Sequence, residues 1–170
     1  MIEFYNEISK LKTIERKGWK DNIHNLKIER NESVAEHSFS IMMLALKIMK
    51  KENLKLDENK VLKMCLYHDL CEIYSGDISP FDNISKQNKF ELELNAIKQV
   101  SNIAQMEDIE ELWIEFEQQI TPEAKFVKAM DKLDAVMQAK LYAEINNKPE
   151  LFHEFYNSAL PYIINYIKYI

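Results

Sequence analysis

The sequence predicts an all-α fold, a compact bundle of several helices in a single domain of residues 1–170. Glycine and proline, which the tight turns of sheet proteins need, number only 2 and 4. Leu, Ile, Lys, Glu and Met are abundant instead, as in helical proteins. Apolar residues recur at helical spacing along most of the chain. Since 46% of the residues are hydrophobic, a chain of this length can bury a core without disulfides.

Capping residues and apolar stripes indicate where the helices begin and end. The ranges predicted to be helical are 2–12, 34–51, 58–75, 86–105, 108–119, 122–146 and, from Pro149, a last pair divided near Pro161. Ser33 and Glu36 form a capping box before the second of these ranges. Thr121-Pro122 is a typical helix start. Residues 13–32 are predicted to form a loop, since the Asp21-Asn22 pair interrupts the pattern.

The charge balance argues against a nucleic-acid polymer as the main partner. The chain has 22 basic and 28 acidic residues and a net charge of -6, and an acidic surface repels a phosphate backbone. A small anionic substrate is compatible with this charge if a local basic patch receives it.

Several features predict a soluble, cytoplasmic protein without a membrane partner. No apolar run is long enough to span a bilayer, and the N-terminus lacks a signal-peptide core. Cys65 and Cys71 lie six residues apart in one predicted helix, too far apart along its axis for a disulfide. We therefore expect two reduced, semi-buried thiols, as in cytosolic proteins.

Two adjacent polar residues, His68 and Asp69, lie in a predicted helix that is otherwise largely apolar. An ionised Asp among apolar side chains costs several kcal/mol unless it is paired or bound to a metal. Adjacent helical residues differ in direction by about 100°, so both side chains can reach one ion between them. Glu72 follows one turn later on the same side.

His37 and Asp131 are polar groups close to apolar stripes and could complete a set of two imidazoles and two carboxylates. Spacing alone does not tie them to the His68-Asp69 pair. A single buried histidine is more often a hydrogen-bonded core residue than a metal ligand. An aspartate in mid-helix is usually solvated, and we expect this of Asp134.

Taken in order, the motifs resemble those of the HD-domain hydrolase superfamily, and most closely those of the 5'-deoxynucleotidases. The matching segments are RKGW at 16–19, ESVAEHS at 32–38, YHDLCEIYSGDI at 67–78 and AKFVKAMDKLDA at 124–135. The resemblance covers most of the chain and implies an HD-domain bundle. The implied metal ligands are His37, His68, Asp69 and Asp131.

The resemblance also implies catalytic and substrate-binding roles. It places Glu72 where it orients or protonates near the metal-bound water, and Asp77 near the sugar and phosphate of the substrate. The residues predicted to bind substrate are Arg16, Lys17, Trp19 and Arg30. Any of the three cations could meet the phosphate. The tryptophan, in a loop rich in cations, suits a planar or phosphorylated ligand, or else covers the core as a lid.

The ligand set favours one divalent cation of a particular class. Two imidazoles and two carboxylates with open positions suit Mn, Co, Fe(II) or Ni better than Zn or Mg. Such an ion activates water for attack on a phosphate ester. The other two histidines of the chain, His24 and His153, are not placed to hold a second metal. A mononuclear phosphatase is therefore favoured over a two-metal phosphodiesterase.

By resemblance, the predicted substrate is a deoxyribonucleoside 5'-monophosphate. Two alternatives stay open. One is a different phosphomonoesterase or a nucleoside triphosphate hydrolase, and the other is a helical scaffold that keeps the metal only for stability. Glu72 and Asp77 favour an enzyme, because a structural metal site does not need these extra acids.

The C-terminal segment predicts a homodimer. Its apolar residues face more than one side, which a lone surface helix avoids, and an exposed apolar patch marks a subunit contact. They are Phe152, Phe155, Tyr156, Tyr162, Ile163, Ile164, Tyr166, Ile167, Tyr169 and Ile170. The alternative is a tail that packs on its own core.

Overall fold

Helices account for the regular structure in the computed structural model, which describes residues 1–20, 25–79 and 82–170. The α-helices are α1 (Ile2–Ser9), α2 (Lys17–Lys20), α3 (Val34–Glu52), α4 (Glu58–Tyr67), α5 (Glu72–Ser75), α6 (Lys86–Ala104), α7 (Asp108–Gln118), α8 (Pro122–Asn146) and α9 (Pro149–Ile163). Short 3-10 helices lie at Lys10–Lys12 and Ile167–Tyr169. Over these described ranges the β-type pairing is an isolated bridge between Glu15 and Ser33. The all-α prediction is confirmed.

Side-chain caps begin the helices where the sequence predicted them. At α3 the backbone N–H of Glu36 donates to Ser33 Oγ at 3.3 Å, and that of Ser33 donates to the Glu36 carboxylate at 2.8 Å. At α8 Thr121 Oγ1 accepts from the amide of Ala124 at 3.2 Å. Because the chain has so few glycines, several helices end on other residue types that adopt the left-handed backbone conformation. These are Asn53, Gln105, Gln119 and Asn147, with φ between 49° and 57°.

The prediction of one continuous helix over 58–75 is wrong. The chain leaves α4 after Tyr67 and enters α5 at Glu72. Between them, amides bond three residues back, as from Leu70 to the carbonyl of Tyr67 and from Glu72 to that of Asp69, both at 3.1 Å. These bonds tighten the turn relative to an α-helix. His68 and Asp69 therefore lie in a turn between two helices.

Two other boundaries also differ from the prediction. Pro161 does not divide the last helix, because α9 continues to Ile163. A proline this close to the helix end removes a single hydrogen bond and leaves few turns to distort. The segment 13–32, predicted as a loop, contains the short helix α2. The Asp21-Asn22 pair and His24 lie outside the described residues.

Helix α8 is central to the packing, since it contacts α3, α4, α7 and α9. Its residues Val127, Met130 and Leu133 are fully buried against Ile41 of α3 and Met64 of α4. A second apolar cluster joins α6 and α7 to the α4–α5 turn and to the start of α3. Together the two clusters fix α3, the α4–α5 turn and α8 against one another, and these three segments carry the predicted metal ligands.

Replacing Ile97 with alanine is expected to lower the free energy of unfolding by about 2–5 kcal/mol. Ile97 is fully buried in the second cluster, so the substitution removes apolar contacts and leaves a cavity. Urea unfolding followed by circular dichroism measures the change. Leu92 on the same helix is 51% exposed, and L92A should change the free energy by less than about 0.5 kcal/mol. Equal effects of the two substitutions would contradict the packing described here.

The two cysteines are free thiols and are buried more deeply than predicted. Cys65 is 0% and Cys71 is 2% exposed. Burial raises the pKa of Cys65 to about 12 and that of Cys71 well above its usual value. Both side chains are therefore protonated, and they pack as small apolar groups.

Much of the C-terminal segment packs on its own core. Ile163 is fully buried, and other members pack against the cluster around α8. These are Phe152, Phe155, Tyr156, Tyr166, Tyr169 and Ile170. Tyr162, Ile164 and Ile167 remain 42%, 59% and 40% exposed. Self-packing thus accounts for most of the apolar residues that predicted a dimer. Across the part of the chain that the structure describes, no helix has both the length and the apolar character needed to cross a bilayer.

Candidate metal centre and active site

The structure brings all four predicted metal ligands together inside the bundle. His68 Nε2 lies 3.0 Å from Asp69 Oδ2, and His37 Nε2 lies 3.7 Å from the same oxygen. His37 Nε2 is also 3.4 Å from Asp131 Oδ1. Neighbouring ligands in an octahedral site, each about 2.1 Å from the ion, are about 3 Å apart. His37, His68 and Asp69 offer ligand atoms that all lie within 4.8 Å of one another, and Asp131 adjoins this group through His37.

Each imidazole is held through Nδ1, which directs Nε2 toward the centre. His68 Nδ1 bonds the carbonyl oxygen of Cys65 at 3.0 Å, and His37 Nδ1 lies 2.7 Å from Asp134 Oδ2. Because a carbonyl only accepts, Nδ1 of His68 donates the hydrogen, and Nε2 is the ring nitrogen that faces the centre.

The two Nε2 atoms are buried, and although carboxylate oxygens lie 3.0–3.7 Å away, no hydrogen bond of suitable geometry reaches either atom from the described residues. Buried polar atoms are normally satisfied, and an unsatisfied one destabilises the fold. A metal-binding histidine, in contrast, uses one nitrogen for the ion and the other for a carboxylate or carbonyl. His37 and His68 both follow this pattern, so the residues present fit a divalent metal ion.

The centre attracts cations. Burial alone would raise the pKa of Asp69 and of Asp131, but neighbouring cationic groups outweigh it and hold both pKa values below the usual range. Burial alone would lower the pKa of His37, but the carboxylates of Asp131 and Asp134 outweigh it and raise this pKa to about 9. The carboxylates of this cluster therefore stabilise positive charge at the centre.

The centre opens onto a cavity of about 620 Å³. A cavity of several hundred Å³ is typical of small-molecule sites. His68, Asp69 and Asp131 line it together with the predicted catalytic residues Glu72 and Asp77. The arrangement places metal ligands, acids and space for a ligand in one concave site.

A scan against family models finds a match to the HD domain over residues 8–168. The chain belongs to the HD domain family. This HD domain is 34% identical, over 93% of the chain and 77% of the relative, to the 5'-deoxynucleotidase HDDC2 of Xenopus laevis. The protein of the same name from Dictyostelium discoideum is 37% identical, with coverages of 92% and 86%. The resemblance predicted from the motifs is confirmed.

A solved structure shares the fold. The "predicted metal-dependent phosphohydrolase" of Magnetospirillum magnetotacticum superimposes with a TM-score of 0.72 and is 28% identical. The alignment covers 95% of this HD domain and 82% of that chain. The predicted HD-domain bundle is therefore confirmed as the fold.

Glu72 of the HD domain is a buried acid with an unsatisfied oxygen. Glu72 is 6% exposed, and its Oε2 has no hydrogen-bond partner among the described residues. Burial, together with the charges of Asp69 and Asp77, raises the pKa of Glu72 well above its usual value. A carboxyl group in this state can hold a proton at neutral pH and exchange it with a ligand in the cavity.

Asp77 is positioned by the residue before it and by α2. Gly76 has φ of 69° and ψ of 169°, a conformation that is essentially restricted to glycine. The backbone N–H of Lys17, at the start of α2, donates to Asp77 Oδ2 at 2.5 Å. This bond ties the α5 exit to the RKGW segment, and both border the cavity.

The three predicted phosphate-binding cations lie in different places. Arg16 lines the cavity, and its Nη1 donates to Asp69 Oδ2 at 3.2 Å. The ammonium of Lys17 pairs with Asp82. Arg30 is on the surface, where its guanidinium bonds both carboxylate oxygens of Glu36 at 2.8 and 2.6 Å. The structure thus brings Arg16 to the metal centre and directs the other two side chains elsewhere.

Trp19 lies between the core and the cavity. It is 4% exposed and borders the cavity, while its ring stacks on Phe155 with centroids 4.5 Å apart and meets the edge of Tyr142 at 5.3 Å. Its Nε1–H donates to Glu32 Oε1 at 2.7 Å. The side chain therefore closes a small apolar cluster and also forms part of the cavity wall.

Asp134 supports the candidate metal centre from α8, although the sequence did not predict a role for it. The expectation of a solvated side chain is wrong, because Asp134 is 7% exposed and holds His37 at Nδ1. Its spacing of three residues from Asp131 places both on one helix face and could have indicated this role.

Replacing Asp134 with asparagine is expected to weaken divalent-metal binding by about 10- to 100-fold. The amide is a weaker acceptor than the carboxylate, so the His37 ring loses orientation and basicity at Nε2. Calorimetric titration of metal-stripped protein with Mn measures the affinity. Glu144→Gln, an exposed change on the same helix, is the control and should leave the affinity unchanged. Equal affinities for the D134N variant and the control would rule out this role.

Further polar residues of the cavity wall were also missed. They include Lys89, Glu93, Glu117, Lys128 and Lys132. Glu93 is 7% exposed, and burial raises its pKa to about 7. Because α6 and α7 reach the metal centre only through tertiary packing, no local sequence signal marks Glu93 or Glu117. The two α8 lysines, in contrast, lie within four residues of a predicted ligand.

Proposed function

We propose that this HD domain, as a single domain of residues 1–170, is a metal-dependent phosphohydrolase that releases phosphate from deoxyribonucleoside 5'-monophosphates. The observation that carries the proposal is the pair of buried Nε2 atoms of His37 and His68, which lie 3.7 and 3.0 Å from Asp69 Oδ2 without a hydrogen bond of suitable geometry. His68 and Asp69 also line a substrate-sized cavity. Relatives named 5'-deoxynucleotidase and a structural neighbour named as a metal-dependent phosphohydrolase support it.

The proposed metal ligands are His37, His68, Asp69 and Asp131. A divalent cation bound there supplies Lewis-acid activation of water and of the phosphoryl oxygens. The mixture of two imidazoles and two carboxylates favours Mn, Co, Fe(II) or Ni over Zn or Mg. Asp134 and the carbonyl of Cys65 hold the two rings in place for this role.

The remaining residues bind substrate and move protons. Arg16 neutralises charge on the phosphate, since its guanidinium already reaches the metal centre through Asp69. Glu72 holds a proton at Oε2 and passes it to the departing oxygen, or takes one from the attacking water. Asp77, fixed by the amide of Lys17, accepts a hydrogen bond from the sugar. Trp19 shapes the wall on the α9 side.

The test is phosphate release from a panel of nucleotides by metal-stripped protein, with Mn, Co, Mg or Zn added back separately. We expect release from deoxyribonucleoside monophosphates, restored best by Mn or Co and faster than from ribonucleotides. Metal binding without release of phosphate from any monophosphate would support the metal centre but contradict the nucleotidase function.

Location and assembly stay predictions. We propose a cytoplasmic protein that acts on small nucleotides and forms a homodimer. The exposed Tyr162, Ile164 and Ile167 are the apolar residues of the tail available to such a contact. Light scattering that finds a monomer at micromolar concentration would remove the dimer.

A further inference from the structure

Two lysines of α8 flank the proposed ligand Asp131. Lys128 precedes it by three residues, and its Nζ lies 3.4 Å from Asp131 Oδ2. Lys132 follows it directly, and its Nζ lies 3.3 Å from the same oxygen. Both side chains line the cavity and are partly buried, 21% and 36% exposed. Neither was singled out by the motifs.

These contacts are looser than well-formed ion pairs. Charge-assisted N–H···O bonds are typically about 2.7–2.9 Å long. Each ammonium offers three donors, yet the two ammoniums share one oxygen of Asp131 at longer distances. Asp131 therefore leaves donors of both lysines available to a ligand in the cavity.

An aromatic ring fixes one of the lysines beside the metal centre. Lys128 Nζ lies 4.6 Å from the ring centroid of Phe116, within the range of a cation–π contact. The same ring meets the edge of the His68 imidazole, with centroids 5.3 Å apart. Phe116 thus holds the Lys128 ammonium close to a proposed metal ligand.

Metal binding changes the charge balance around these lysines. In the metal-free centre Lys128 and Lys132 both lie next to the Asp131 carboxylate, which stabilises their ammonium charges. If Asp131 binds a divalent ion, its negative charge is shared with that ion and attracts the lysines less. A bound divalent ion thus adds positive charge beside Lys128, Lys132 and Arg16, although acids including Glu117 also line the cavity. Metal loading therefore makes this side of the cavity more favourable for an anionic ligand.

We propose that Lys128 and Lys132 bind the phosphate of the substrate from α8, while Arg16 binds it from the segment before α2. The inference rests on the proposed function, because it takes the ligand to be a phosphate monoester. Compact ammonium groups with three rotatable donors suit a phosphate, whose oxygens point in several directions. A phosphate monoester carries a charge of about −1.5 to −2 at neutral pH, so it is attracted to two ammonium groups and a guanidinium on one side of the cavity.

The alternative role for the lysines is to position Asp131 as its counterions. The two roles differ in which affinity the lysines control. Phosphate-binding lysines control the affinity for the anion and leave metal affinity equal or higher, since they compete with the metal for Asp131. Positioning lysines control the metal affinity, and phosphate binding then falls only because less metal is bound.

The test compares Lys128→Met and Lys132→Met, which keep most of the length of the side chain but remove its charge, with Lys125→Met. Lys125 is exposed on the same helix and serves as the matched control. Calorimetry measures Mn binding to each metal-stripped protein, and then inorganic phosphate binding to each Mn-saturated protein. We expect unchanged or tighter Mn binding and phosphate binding weakened by about 10- to 100-fold in the two test variants only. The KM for a deoxynucleotide should rise in parallel with the dissociation constant for phosphate.

Two results would overturn the inference. One is unchanged phosphate affinity in both variants at Mn saturation, and the other is a loss of Mn affinity with normal phosphate affinity once Mn is saturating. Lys128→Gln and Lys132→Gln replace the methionine variants if circular dichroism shows that these misfold. Weakened phosphate binding in a protein that hydrolyses no nucleotide would sink the proposed function alone. Nucleotide hydrolysis with unchanged phosphate affinity in the variants would sink this inference alone.

Discussion

Replacing Glu72 with glutamine is expected to lower the rate of phosphate release by about 100- to 10,000-fold while metal binding persists. Glutamine keeps the size of the side chain but cannot take up or release a proton. The buried, unpartnered Oε2 of Glu72 and its raised pKa are the properties that the substitution removes. The effect should appear in kcat, because the proton is transferred in the transition state of the chemical step.

The measurement is steady-state release from a deoxynucleoside monophosphate at saturating Mn, with Mn stoichiometry from calorimetry. Glu58→Gln is the matched control, because Glu58 is an exposed glutamate of α4. A decrease in the release rate no larger than that of the control would show that Glu72 takes no part in catalysis. Loss of Mn binding in the E72Q variant would instead assign Glu72 to the metal centre. A metal-stabilised scaffold predicts no change in any of these quantities.

Replacing Asp69 with asparagine is expected to abolish the stabilisation of the fold by divalent metal. Asp69 Oδ2 faces the Nε2 atoms of both His37 and His68, at 3.7 and 3.0 Å. A metal at 100 times its dissociation constant adds about 2.7 kcal/mol to the free energy of unfolding if it binds only the folded state. Without the carboxylate the centre loses a charged ligand, so this gain should disappear.

Thermal unfolding with and without Mn measures the gain within each variant. Taking this difference cancels any effect of the substitution on the metal-free protein, where Arg16 also contacts Asp69. The control is Asp57→Asn, which removes one exposed charge but keeps a residue that caps α4 equally well. A gain of wild-type size in the D69N variant would exclude Asp69 as a ligand.

Local signals in the sequence predicted most of the helices. The capping box of Ser33 and Glu36 and the Thr121 cap mark the starts of α3 and α8 because a side chain bonds an amide only three residues away. The same local reasoning failed between Tyr67 and Glu72. The apolar pattern there is compatible with a helix, and only packing against α6 and α7 selects the tighter turn.

The motifs indicated the candidate ligands, but only through the resemblance to a family. His68 and Asp69 are neighbours in the chain, whereas spacing gave no reason to join them to His37 or Asp131. Tertiary packing of α3 and α8 brings the four to within 3.0–3.7 Å of one another in successive pairs. The site residues therefore came from sequence, and their common centre from the fold.

The sequence by itself determined the helical fold, the family and the residue types available for metal chemistry, because composition, periodicity and short motifs are local properties. The tertiary structure alone decided which groups act together. It pairs His37 with Asp134 across 97 residues and Arg16 with Asp69 across 53, and it sends Arg30 to the surface beside Glu36. Hydrogen bonds and charges act over a few ångströms in space, and helical periodicity carries no information about partners so distant in the chain.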